Sequence, residues 1–130
     1  MRVVIVGLGM MGGSLARALQ RAGNHTVIGV DIDPAARDAA MRAEVAHQVY
    51  GSLSEFDGLC DVLVFATPVS VTLSLLSVHA ARLKRTPLVM DVGNVKASVA
   101  RAAREMGRVL KPGGHAMVVT ECFVRLHPLE

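Results

Sequence analysis

Apolar residues in this chain fall into short unbroken runs, separated by stretches in which they recur every three or four positions. The runs at 2–6, 26–31, 61–66, 87–92 and 116–120 are rich in Val, Ile and Leu, and a shorter, more polar stretch at 46–50 is expected to form a third strand. Such runs predict strands buried on both faces rather than strands with one wet face. Between them the period changes to that of a helix. Leu15, Ala18, Leu19 and Ala22 share one face of a predicted helix over 14–22, and Arg17, Gln20 and Arg21 share the other. Gly23-Asn24 then stops it. Asp33-Pro34 has the chemistry of an N-cap followed by a first helical residue. Leu73, Leu76, Ala80 and Leu83 predict one helix over 70–83, and Val95, Val99, Ala103 and Met106 another over 96–106. Lys111-Pro-Gly-Gly114 reads as a turn.

Strands alternating with helices predict an α/β fold built on a doubly wound parallel sheet of the Rossmann kind. Six strands are expected in the order 3-2-1-4-5-6, joined by right-handed crossovers. At 130 residues the chain reads as one dinucleotide-binding domain over 1–121, a tail over 122–130 and no second domain. In such sheets ligands sit at the carboxyl ends of the strands, where the strand order reverses. The loops after Val6, Asp31, Ala66, Val92 and Thr120 should therefore share one rim.

The first of these loops carries the chemistry. Gly7-Leu-Gly9-Met10-Met11-Gly12 is a G-x-G-x-x-G turn between a strand and a helix. Gly7 permits the sharp turn, Gly9 lets a pyrophosphate approach the backbone, and Gly12 allows close packing of the helix. The helix N-terminus offers free N–H groups and partial positive charge to the phosphates. Asp31 follows Gly12 by 19 residues, where a carboxylate can accept the adenosine ribose hydroxyls. A 2′-phosphate would be repelled there, so NAD is expected over NADP, although Arg37 can reach back from the next helix. Thr67 and Pro68, at the end of strand four, complete the expected cofactor set with Gly7, Gly9, Met10, Met11, Gly12 and Asp31.

Composition removes other classes. With no Trp, one Tyr and three Phe, stacking platforms for single-stranded nucleic acid are nearly absent. The net charge of +3 comes from Lys and Arg spread over helix surfaces, which argues against a nucleic-acid partner. No apolar run approaches the roughly 20 residues of a membrane span. Two cysteines without a C-x-x-C, and a first strand with no leader before it, point to a reduced, cytoplasmic protein. No metal site is expected. His25, His47 and His79 read as ordinary solvated histidines.

Five segments in order, Gly7-Leu-Gly-Met-Met-Gly-Gly-Ser-Leu-Ala16, Val30-Asp31, Ala66-Thr-Pro-Val69, Asp91-Val-Gly-Asn-Val-Lys96 and Gly113-Gly-His-Ala-Met117, resemble the nucleotide-binding domain of prephenate and arogenate dehydrogenases. The resemblance covers 1 to about 121. It implies an NAD-dependent oxidoreductase of tyrosine biosynthesis that oxidatively decarboxylates prephenate or oxidises arogenate. It aligns His115 with the family's catalytic histidine, a base for the substrate's ring hydroxyl. Asn94 stands where the family has a serine that hydrogen-bonds the same hydroxyl, and Lys96 supplies a fixed positive charge. Family enzymes continue into a helical domain that makes the dimer and binds the substrate carboxylates. The resemblance therefore implies a homo-oligomer or a separate helical domain as partner, and an apolar patch near strand six and the helix after Lys96. Two other readings stand beside it: a stand-alone NAD-binding module without catalysis, and a dehydrogenase of the beta-hydroxyacid type, which shares the Gly-Leu-Gly-x-Met-Gly turn.

Overall fold

The computed structural model describes residues 1–92 in full and the backbone of 115–120 and 123–128. Its elements are β1 (Arg2–Val6), α1 (Met10–Ala22), β2 (Thr26–Val30), α2 (Pro34–Arg42), β3 (Gln48–Tyr50), a 3-10 turn at Leu53–Glu55, β4 (Val62–Phe65), α3 (Val69–Val78), α4 (Ala80–Leu83), β5 (Leu88–Asp91), β6 (His115–Thr120) and β7 (Phe123–Pro128). The strands form one sheet in the order β3-β2-β1-β4-β5-β6-β7. β1 to β6 pair in parallel, with Val6 beside Val30 and Phe65, and Phe65 beside Asp91. The doubly wound order expected from the alternation is present.

The segment expected to be an irregular tail contributes a seventh strand. β7 pairs antiparallel with β6, Thr120 opposite Phe123 and His115 opposite Pro128. A short link between two extended segments folds back as a hairpin, whereas a parallel neighbour needs a crossover. The predicted helix over 96–106, the turn at 111–114 and the expected apolar patch lie outside the described residues.

Sheet alternation divides the core. Val4, Val6, Ile28, Leu63 and Phe65 pack on one face with Leu53, Phe56, Leu76 and Leu83. Val3, Ile5, Val27, Val62 and Val64 pack on the other with Leu8, Ala16 and Ala40. The period of two sends neighbours to opposite layers, and helices on both sides leave neither layer wet.

Two element boundaries differ in an informative way. Helix α1 begins at Met10 rather than at 14, with Gly9 as its N-cap, so the glycine turn is itself the first turn of the helix. The single helix expected over 70–83 breaks at His79 (φ −105°, ψ 23°). Beyond the break, Leu83 is fully buried and Arg82 donates to the carbonyls of Gly58 and Phe56. These anchors redirect the last turn.

Candidate functional site

The ladder continues one residue beyond several strands at their carboxyl ends, and this fixes the rim. Gly7 N–H donates to Val30 O (2.8 Å), Asp31 N–H to Tyr50 O (3.0 Å), Ala66 N–H to Val6 O (2.7 Å) and Val92 N–H to Phe65 O (3.0 Å). The loops carrying Gly7, Asp31 and Thr67 therefore start from hydrogen-bonded backbone.

Each glycine of the turn has its own reason. Gly7 has φ +94°, and a Cβ there would lie 2.6 Å from Ala66 O. A side chain at Gly12 would place its Cβ 1.8 Å from Gly7 O, so α1 packs directly on the backbone of the turn. A Cβ at Gly9 would meet nothing within 4 Å. That open face is where a pyrophosphate needs to come close. No side chain caps α1, and its first turn holds no acid. The N–H groups of Met10, Met11 and Gly12 precede the first intrahelical bond, Gly13 N–H to Gly9 O (2.8 Å), and so have no acceptor within the helix. Met10 and Met11 place their side chains in solvent at this end.

Asp31 is half-buried just beyond β2. Its Oδ2 accepts the Leu8 N–H (2.7 Å) and its Oδ1 accepts the Asp33 N–H (2.9 Å). One carboxylate thus ties the glycine turn to the loop entering α2. Each oxygen keeps a further lone-pair site for a ribose hydroxyl. Asp33 caps α2 through the Ala35 N–H (2.9 Å) with Pro34 at the first position, as the sequence predicts. Thr67 lies against the turn, its Cγ2 3.1 Å from where a Gly7 Cβ would be, and its Oγ1 shares a hydrogen bond with Thr72 Oγ1 (2.8 Å). Pro68 is the N-cap of α3.

Two positioning residues were not read from the sequence. Gly29 leaves room for the buried Leu8 side chain, since a Cβ at 29 would be 2.8 Å from Leu8 Cδ1. Its signal was a glycine inside an otherwise apolar strand, which marks a close approach. Thr72 is fully buried under Thr67; its signal was a threonine on the inward face of a helix just after Thr67-Pro68. Asp91, which opens the fourth of the family-like segments, is fully buried at the end of β5.

Of the three expected catalytic residues, only the backbone of His115 is described. Asn94 and Lys96 lie outside the described residues. His115 opens β6 and pairs with Leu88, at the amino end of β5, whereas Val118 is the residue beside Asp91. Three residues of strand, about 10 Å, separate His115 from the level of Asp91. A residue opening a parallel strand falls on the rim away from the ligand loops, which is where the register sets the backbone of His115.

Of the other histidines, His47 is exposed and His25 and His79 are half-buried. His47 Nδ1 accepts the Val27 N–H (3.0 Å), and the Nδ1 of His25 is enclosed. Burial, then the charge of Arg82, lowers the pKa of His79 from its ordinary 6.5. Burial raises the pKa of the Cys60 thiol above its ordinary 9.0, which keeps it protonated and unreactive. Among the described residues no three His, Cys, Asp or Glu side chains form a metal-holding group, and no helix is long and apolar enough to cross a membrane.

A doubly wound sheet with an uncapped helix N-terminus at a glycine turn and an acid at the next strand end defines a nucleotide-binding domain. The family described as prephenate dehydrogenase, nucleotide-binding domain, matches residues 15–123. The chain belongs to that family. The prephenate dehydrogenase of Lactococcus lactis subsp. cremoris (strain MG1363) is 30% identical over 121 residues, covering 89% of this chain and 34% of the relative. The crystal structure of prephenate dehydrogenase from A. aeolicus in complex with hydroxyphenyl propionate and NAD+ superposes with a TM-score of 0.75 at 25% identity, over 91% of this chain and 41% of that one. Synechocystis arogenate dehydrogenase gives 0.72 at 28% identity, over 91% and 40%. The chain thus spans about a third of the length of the curated relative it matches.

Proposed function

We propose that this chain binds NAD and acts as the cofactor-holding part of a dehydrogenase that oxidises prephenate or arogenate. The observation that carries the reading is the hydrogen bond from Leu8 N–H to Asp31 Oδ2. It sets the carboxylate that would hold the ribose at a fixed position against the amides that would hold the pyrophosphate. Met10, Met11 and Gly12 would present those amides, Gly9 would admit the phosphates, and Asp31 would accept the ribose hydroxyls. Thr67 and Pro68 would border the cofactor from the β4 side. When bound, NAD supplies a hydride acceptor. The protein's described contribution is to bind and orient it.

On its own, in this reading, the chain holds the cofactor without turning over substrate. Two observations favour that. The register keeps His115 away from the rim, and the chain matches only about a third of its curated relative. Buried substrate carboxylates and an oriented hydride transfer need groups converging on the rim. A helical domain, in the same polypeptide or a partner, would supply them.

The test is a titration of the 130-residue chain with NADH, followed by the cofactor's own fluorescence. The chain has no Trp, so protein background is small. Saturable binding, weakened by Asp31→Ala, is the expected result. A folded chain that leaves the NADH signal unchanged overturns the reading. NADH formation from NAD and prephenate only after a helical domain is added would support the division of labour.

A further inference from the structure

Resting on the NAD reading above, we propose that Arg37 is a specificity-determining residue at the adenosine end, giving the site a weak but real affinity for a dinucleotide carrying a 2′-phosphate. Asp31 alone would reject such a ligand, because a carboxylate that accepts a ribose hydroxyl repels a phosphate on the same oxygen. Asp33 stands two residues further on and adds to the repulsion.

Arg37 sits one turn into α2 and folds back over this loop. Its Nη1 donates to Asp31 O (2.7 Å) and to Ile32 O (3.0 Å). A guanidinium has five N–H donors, and these bonds occupy the two on Nη1. Among the described residues, neither of these hydrogen bonds goes to a carboxylate. The nearby Glu55 carboxylate is engaged through Oε2 by the Gly51 N–H (3.1 Å). Gly51 borders both groups: a Cβ there would lie 3.2 Å from Glu55 Oε1 and 3.5 Å, an ordinary contact, from Arg37 Nη1.

The result is a permanent positive charge pinned to the backbone carbonyls of Asp31 and Ile32, the residue whose carboxylate would hold the 2′-oxygen and its neighbour. A phosphate on that oxygen projects past Asp31 toward whatever borders it, and Arg is suited to take it through paired N–H donors. The two acids keep NAD preferred. Arg37 offsets part of their repulsion for the phosphorylated cofactor.

The experiment compares NADH and NADPH titrations of the full chain, its Arg37→Ala and Arg37→Lys variants, and Asp31→Asn. Far-UV circular dichroism confirms that each is folded. The wild-type chain should bind NADH tightly and NADPH measurably more weakly. Arg37→Ala should weaken NADPH by about ten- to a hundredfold, the worth of a charge-assisted contact, while moving NADH by less than about threefold. Arg37→Lys should recover part of the NADPH affinity, and Asp31→Asn should narrow the gap between the cofactors. Equal weakening of both cofactors by Arg37→Ala would show that Arg37 only clamps the loop, and would overturn the proposal. So would NADH binding with no NADPH binding in the wild-type chain. Failure to bind either cofactor would overturn the NAD reading itself, and this inference with it.

Discussion

At Asp31 a single side chain holds two backbone amides that would otherwise be unpaired, Leu8 N–H and Asp33 N–H. The same side chain is the candidate ribose acceptor, so the site is organised before any ligand arrives. Gly12 shows the same economy in its lack of a side chain. With the hypothetical Cβ only 1.8 Å from Gly7 O, Gly12→Ala must push the helix off the turn. The expected cost is about 3 kcal/mol of overpacking, read from urea unfolding, together with loss of NADH binding. His79 gives a pH effect. Its imidazole ionises below its ordinary 6.5 in the folded chain. Above that pH the group is neutral in both states and contributes no slope. As the pH falls through 6.5 the unfolded chain takes up the proton first, so stability falls toward acid. Urea midpoints measured from pH 7.5 down to 5.5 should show this fall, and His79→Gln should reduce its slope.

The pairing of the glycine turn with β2 is the central element-level contact. Leu8 leaves the turn and packs over Gly29, the one small residue in Thr26–Val30. Gly29→Val suits a strand by propensity, yet its Cβ would occupy the space of Leu8 Cδ1. The variant should keep the sheet, seen by circular dichroism, and lose at least about tenfold in NADH affinity as the turn shifts. Much of this architecture was legible in advance. Unbroken apolar runs announced β1, β2, β4 and β5, and the glycine spacing with Asp31 announced the rim. What escaped was set by contacts distant in sequence. The break at His79 follows from Arg82 reaching Phe56 and Gly58, and no local pattern encodes that partner. β7 follows from an open edge at β6, to which an extended segment can pair. Gly29 and Thr72 looked like ordinary strand and helix residues until their neighbours were in place. Motif likeness singles out His115, but which end of β6 it occupies follows only from the pairing with β5.

For the molecule as a whole, direction decides function. A parallel sheet has two unlike rims, and the glycine turn, Asp31, Arg37 and Thr67 belong to the carboxyl one. His115 belongs to the other by register. His115→Ala should therefore leave the NADH dissociation constant within about twofold of wild type; a tenfold loss would place the histidine at the cofactor after all. The cofactor loops also draw on a compact portion of the polypeptide. The central strands β1, β2 and β4 and the Thr67–Thr72 contact are all made from the first 72 residues. Synthesis runs from the amino end of a chain, so these pieces of the rim are joined into the polypeptide before β5, β6 and β7. The order of synthesis thus sets the cofactor loops ahead of the strands β5, β6 and β7, which extend the sheet beyond them.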